Sequence, residues 1–285
     1  MKHIFMMNDT KKYHDFEVII HDVMNTYDYA IIYTTSMKAS IQYIQQYPQK
    51  ARFYAVGGDG TIHGIIQALV NTDHECVVIP LGTGNDFCRM LTKEKNPRKV
   101  LEESLHYQTQ KIDTIQLNET YYINSACFGL DSVIANHVHD TPQIPFVPES
   151  KSYIVSIFQN ILSYTYEDII VISQGQCLFK GKAILCTLNN GQFYGGGFKI
   201  IPYADIQDGL MDICIVDKLP MKKIPYMLSL LLREKLYDRK EFHYFQVNEA
   251  KVIFSKSCNL DGEEEKHDEY NFKVCPQSLN MVIFK

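Results

Sequence analysis

Residues 52–61 read Arg-Phe-Tyr-Ala-Val-Gly-Gly-Asp-Gly-Thr, and the fold is decided there. Residues 52–56, apolar or aromatic after Arg52, predict a strand, and residues 61–70 carry apolar side chains at helical spacing. Between them, Gly57, Gly58 and Gly60 predict a tight strand-to-helix turn. Such a turn lets backbone N–H groups approach a phosphate, and the helix N-terminus adds a favourable dipole. Asp59 would repel bare phosphate, so it acts there through Mg²⁺ or a proton, or else merely caps the helix. A second strand at 76–79 runs into Pro80-Leu81-Gly82-Thr83-Gly84-Asn85-Asp86-Phe87, again ahead of a helix. Asn85 or Asp86 as an N-cap explains the helix start but not the glycines flanking Thr83. Two such turns at strand ends of one sheet face a single crevice, where open α/β sheets bind ligands.

Upstream, residues 3–7 and 29–33 read as further strands, with Phe16, Ile19, Ile20 and Val23 and then residues 41–47 as helices. This is the alternation of a doubly wound sheet. From about Lys111 the pattern changes to short strands with frequent turns, at 111–117, 121–126, 169–172, 183–187, 211–216, 251–254 and 272–274. The expected class is α/β plus β: an N-terminal doubly wound α/β nucleotide domain over 1–115 and a C-terminal antiparallel β-sandwich domain over 116–276. Residues 141–148, with three prolines, read as an irregular loop.

A length of 285 residues exceeds the usual ~100–200 per domain, which favours two cores. With 46% hydrophobic and 21% charged residues the chain is an ordinary folding sequence. A net charge of −5 argues against broad attraction to nucleic acid, so no nucleic-acid partner is expected, and any membrane contact must be local. The eight cysteines form no C-x-x-C pair and read as buried thiols. The N-terminus lacks a secretory h-region, and both features fit a cytoplasmic protein. No apolar run reaches the ~18 residues of a spanning helix, so a lipid would be met at the bilayer surface. Residues 221–240 set Ile224, Met227, Leu228, Leu231 and Leu232 beside Lys222, Lys223, Arg233, Lys235, Arg239 and Lys240. That pattern fits a basic amphipathic helix on an anionic bilayer, or one packed on the sandwich. His137 and His139 lack a third ligand and receive no role.

Gly58-Asp59-Gly60-Thr61 followed by the 80–87 motif resembles the catalytic domain of bacterial diacylglycerol kinases and related lipid kinases, a domain shared with sphingosine and ceramide kinases. Further matches occur in the family's order: Asn124 with Gly129, Asn190, Gly195-Gly196-Gly197, Pro202, Asp208-Gly209-Leu210, and Asn259-Leu260-Asp261-Gly262-Glu263. The resemblance spans nearly the whole chain. It implies an ATP-dependent, Mg²⁺-requiring transferase of phospholipid biosynthesis, acting on a membrane lipid hydroxyl. Diacylglycerol is the first acceptor, with phosphatidylglycerol or a sphingoid lipid next. It also implies a last strand, 277–285, returning to the first domain. By the same resemblance Thr34, Gly57, Gly58, Asp59, Gly60, Thr61, Ile62, His63, Gly64, Thr83, Asn85 and Asp86 attend ATP. Asp261 is the general base and Glu263 lies beside the nucleotide or its metal. Asp59, Asp86 and Asp113 hold Mg²⁺ through water, and Asp205, Asp208 and the Leu210 carbonyl bind a separate structural Mg²⁺. A homodimer is left open.

The chain departs from the family at two places. His63-Gly64 stands where relatives carry Asn-Glu, and Asn8-Asp9-Thr10 keeps only the asparagine of an Asn-Pro-x-Ser-Gly turn. Independently of resemblance, phosphoryl transfer to an alcohol needs a carboxylate to accept the hydroxyl proton, which Asp261 can supply. In isolation Asp261-Gly262 reads more simply as a β-turn. Two other functions remain: an NAD kinase-like enzyme with a soluble acceptor, against which the 80–87 motif speaks, and a catalytically silent lipid- or nucleotide-binding protein, against which Asp59, Asp261 and Glu263 speak.

Overall fold

The computed structural model describes residues 1–130, 132, 164–231 and 233–284; His137, His139, the 141–148 stretch and Leu232 lie outside the described residues. The chain opens with β1 (Lys2–Asn8), α1 (Lys11–Val23), β2 (Tyr29–Thr34), α2 (Met37–Gln45), β3 (Ala51–Gly57), α3 (Asp59–Leu69), β4 (Glu75–Pro80), α4 (Cys88–Leu91) and α5 (Pro97–Ser104). The four strands are parallel in the order β2-β1-β3-β4. Both faces of this sheet are covered. Along β1, Ile4 and Met6 enter one core with Ile62, Ile65, Ile66 and Leu69 of α3, while Phe5 and Met7 enter another with Phe16 and Ile20 of α1. The same alternation repeats in β3 and β4. Strands buried on two faces read as unbroken apolar runs, which is why 52–56 and 76–79 stand out in the sequence. In helix α5, Asn96 caps the backbone N–H of Arg98 and Pro97 opens the first turn.

The second half holds β5 (Thr109–Leu117), β6 (Thr120–Tyr122), β7 (Ser125–Gly129), β8 (Asp168–Ser173), β9 (Gln176–Asn189), β10 (Phe193–Tyr194), β11 (Phe198–Lys199) and β12 (Met211–Asp217). It continues with β13 (Phe242–Val247), β14 (Glu249–Ile253), β15 (Cys258–Leu260), β16 (Glu263–Glu265) and β17 (Tyr270–Val282). The long β9 serves two layers: its first half pairs with β8, its second with β7 and β12. Between the layers lie Phe128, Val171, Leu188, Ile213, Val252, Tyr270 and Phe272, an antiparallel sandwich core. Strand β17 is antiparallel to β5 and β14 and, at Asn280 and Met281, parallel to β4.

Two expected elements differ. The strand over 121–126 is broken into β6 and β7, because the N–H groups of Ile123, Asn124 and Ser125 turn toward the Asp261 carboxylate instead of a neighbouring strand. The stretch 221–240 is not one helix: a 3₁₀ turn at Met221–Lys223 leads into the helix Ile224–Leu231, and Glu234 adopts φ +55° shortly after it. Ile224 and Met227 are buried against the sandwich with Val216 and Leu236. Among the described residues no helix is long and apolar enough to cross a membrane.

Candidate active site

The C-terminal ends of β1 to β4 bring Asn8, Thr34, Gly57 and Pro80 to one edge of the sheet. Thr34, at the end of the outermost strand, is half-buried and pairs with Asn8. The two glycine-rich turns follow β3 and β4 and are packed directly on one another. The N–H groups of Leu81 and Gly82 both donate to the Gly57 carbonyl, at 3.1 and 3.0 Å. Asn85, at φ +51°, closes the second turn on itself, accepting from the Gly82 N–H at 3.1 Å and donating to the Gly82 carbonyl at 2.7 Å. Thr83 is exposed at its tip.

Asp59 ties the turns together. One carboxylate oxygen accepts from the Asp86 N–H and the other from the Phe87 N–H, both at 3.2 Å. Burial, with the negative charges of Asp86 and Asp261 adding to it, pushes this carboxyl up to about 6. Asp86 accepts the Gly196 N–H at 2.9 Å, which draws the glycine triplet of the sandwich domain over the crevice. Its carboxyl is also raised, mainly by burial. The other oxygen of Asp86 is buried with no hydrogen bond and faces the Arg89 Nε at 3.5 Å. Arg89 donates to the Gly84 carbonyl at 3.1 Å as well, and its guanidinium lies against Gly197. Arg89 escaped the sequence reading; its spacing three residues after Asp86 on a helix start was the signal available.

From the other domain, Asp261 and Gly262 form the two-residue turn of the β15–β16 hairpin, both at positive φ (+50° and +104°), with Leu260 opposite Glu263. The turn reading is therefore correct as backbone geometry, yet an ordinary turn Asp faces water, and Asp261 is only 5% exposed. One carboxylate oxygen accepts from Asn124 N–H (3.0 Å) and Ser125 N–H (2.9 Å), the other from Ile123 N–H (2.8 Å). Facing that second oxygen across 3.6 Å is the Nδ1 of His63. Glu263 is exposed, its carboxylate beside Gly60 of the first turn. Asp59, Gly60, Asp86, Asp261 and Glu263 thus meet where the two domains join.

Other predicted residues lie elsewhere. The Ile62 side chain points into the core of the first domain, and Gly64 is buried against Met37, so neither offers a side chain to the crevice. Thr61 follows on the first turn of α3. Asp113 is fully buried, accepting from the N–H groups of Gly209 and Gln277, both at 2.7 Å, so it steadies the 205–210 loop. In that loop Asp205 accepts the Gln207 N–H and Asp208 the Leu210 N–H, at 3.0 and 2.9 Å. The Asp208 carboxyl is raised by burial and by the charges of Asp205 and Asp113.

Among the described residues no three His, Cys, Asp or Glu side chains form a protein-only cation cage. Mg²⁺ does not need one, since it commonly takes one or two carboxylates and completes its shell with water and substrate phosphates. The Asp86 oxygen that lacks a hydrogen bond, facing Arg89, and the crowded carboxyl of Asp59 fit that requirement.

The site joins a doubly wound domain with two crevice glycine turns to a sandwich that contributes a buried carboxylate. Comparison with known proteins gives this architecture a family. The diacylglycerol kinase catalytic domain matches residues 8–117, and the YegS C-terminal NAD kinase beta sandwich-like domain matches residues 124–283. A Shewanella frigidimarina protein named "Probable lipid kinase YegS-like" is 28% identical over 234 residues, covering 80% of this chain and 74% of its own. The Bacillus subtilis protein named "Diacylglycerol kinase" is 27% identical over 215 residues, 73% of this chain and 70% of its own. A crystal structure of a diacylglycerol kinase from Bacillus anthracis superposes with a TM-score of 0.77 over 99% of this chain and 97% of that one, at 18% identity, a likeness of fold. The chain belongs to the diacylglycerol kinase catalytic-domain family of bacterial lipid kinases.

Proposed function

We propose that this protein transfers the γ-phosphoryl group of ATP to the hydroxyl of a membrane lipid, with diacylglycerol as the first acceptor. The observation that carries the reading is the gathering of Asp59, Asp86 and Asp261 around two interlocked glycine turns. Carboxylates crowded this closely, one of them pushed up to about 6, are stabilised by a cation. Asp59 and Asp86 would hold Mg²⁺ through water, and the ion would neutralise charge on the phosphate oxygens. The turn backbones at 57–60 and 82–84 receive the phosphates, Glu263 stands beside them, and Arg89 compensates Asp86. The lipid hydroxyl oxygen attacks the γ-phosphorus, the bond to the β-phosphate oxygen breaks, ADP leaves, and the hydroxyl proton goes to the Asp261 oxygen facing His63. The 205–210 loop would bind the separate, structural Mg²⁺ through Asp205, Asp208 and the Leu210 carbonyl.

The acceptor is met at the bilayer surface and the enzyme works in the cytoplasm; among the described residues no helix is long and apolar enough to cross a membrane. The test is incubation with γ-labelled ATP, Mg²⁺ and detergent-dispersed diacylglycerol, phosphatidylglycerol and sphingoid lipids, with NAD as the soluble competitor. Label in diacylglycerol is the expected product. Label in NAD alone contradicts the reading.

A further inference from the structure

Proton acceptance leaves Asp261 with a difficulty that its surroundings make specific. The three backbone groups around its carboxylate, the N–H of Ile123, Asn124 and Ser125, are all donors. They suit a carboxylate, but none can receive the O–H of a carboxylic acid. An acid proton on a side chain this deeply buried has to be directed to an acceptor, or the group is left unsatisfied. The acceptor in reach is His63. Its imidazole is 2% exposed, its Nδ1 is buried with no hydrogen-bond partner, and that nitrogen lies 3.6 Å from the Asp261 oxygen bonded to Ile123. The gap exceeds a hydrogen bond, and closing it to the ~2.7–2.9 Å of a charge-assisted contact needs only a small ring movement.

We propose that His63 is a positioning residue and proton relay acting through Asp261, an inference that rests on the kinase reading above. As the new oxygen–phosphorus bond forms, the lipid hydroxyl proton moves to Asp261. Its O–H then donates to His63 Nδ1, which takes the proton as imidazolium and returns Asp261 to the carboxylate its three donors favour. The proton leaves to water on product release, so nothing is oxidised or reduced.

The experiment compares turnover at saturating ATP and lipid for the parent, His63→Leu, His63→Asn, Asp261→Asn and the double variant His63→Leu/Asp261→Asn, with KM for ATP and thermal midpoint measured for each. His63→Leu is expected to lower kcat by about 10-fold or more, a part of the ~10²–10⁴-fold typical of general-base catalysis, with KM for ATP unchanged. His63→Asn, which can accept a hydrogen bond but not a proton, is expected to lose turnover similarly while keeping the parental midpoint; it carries the test if the leucine variant does not fold. The double variant should be no slower than Asp261→Asn alone, because residues acting as a unit are not additive. Parental kcat in His63→Asn, or losses that multiply in the double variant, overturns the relay while leaving the kinase reading standing. A parent protein that labels no lipid overturns both.

Discussion

The Cα of Gly58 occupies the space that a side chain on Gly82 would need: a β-carbon on Gly82 would lie 2.3 Å from it and 2.8 Å from the Gly58 nitrogen. These glycines are required by contact between the two turns, in addition to any phosphate they receive. Those two atoms are backbone and cannot swing aside, and the β-carbon would also meet Asn85 Oδ1 at 2.8 Å, so Gly82→Ala has to separate the turns. It should cost about 1–3 kcal/mol of stability and weaken ATP binding together, read by thermal melting and by titration with ATP. Gly84 differs, since a β-carbon there meets only the Asp59 carboxylate, at 3.1 Å. Gly84→Ala should weaken ATP binding with a smaller loss of stability.

Asp59 makes stability depend on pH in a direction opposite to the usual acid denaturation. Its folded-state carboxyl is raised to about 6, above the ~3.9 of an unfolded aspartate, so between those values the folded chain holds a proton the unfolded chain has released. This contribution is fully present below about 4 and is lost as pH rises through 6. With chelator present, the parent should lose about 1–3 kcal/mol relative to Asp59→Asn between pH 4 and pH 7, measured by denaturant unfolding at each pH. Parallel pH profiles for the two proteins would remove the charge-crowding account.

The 205–210 loop places Asp205 and Asp208 beside the buried Asp113, and the Asp208 carboxyl is raised by burial first and by those charges second. Binding of Mg²⁺ to the folded state alone would raise the melting temperature in proportion to the logarithm of its concentration. That rise should persist in Asp59→Asn and shrink in Asp208→Ala. An equal rise in Asp208→Ala would place the ion elsewhere.

Legibility in the sequence followed the range of the interactions involved. Strands β1, β3 and β4 were readable because burial on both faces writes unbroken apolar runs at 4–7, 53–56 and 76–79, and the two turns because glycine has few other reasons to recur there. Asp261 as more than a turn residue was not readable from local spacing. Its partners at 123–125 lie more than 130 residues away, and the same contact breaks the strand expected at 121–126. Helix α5 was missed because its amphipathic stripe is only Val100, Leu101 and Ser104 wide. His63 read only as part of a departure from an Asn-Glu pair; only packing reveals that its ring faces Asp261. Residues 221–240 looked continuous because their basic residues flank an apolar core at helical spacing, but the backbone at Glu234 turns left-handed.

The central claim is that Asp261 accepts the proton of a lipid hydroxyl during transfer from ATP. It is tested most directly by the initial rate of γ-label transfer to dispersed diacylglycerol, measured for the parent and for Asp261→Asn with ATP binding followed in parallel. An asparagine retains an oxygen for two of the three backbone N–H groups but orphans the third, so the variant should lose about 1–3 kcal/mol of stability and melt lower. The rates are therefore compared well below its melting temperature. The account predicts that the parent labels diacylglycerol and that Asp261→Asn does so ~10²–10⁴-fold more slowly with ATP affinity retained. A parent that labels no lipid, or an Asp261→Asn variant that labels it at close to the parental rate, would contradict it.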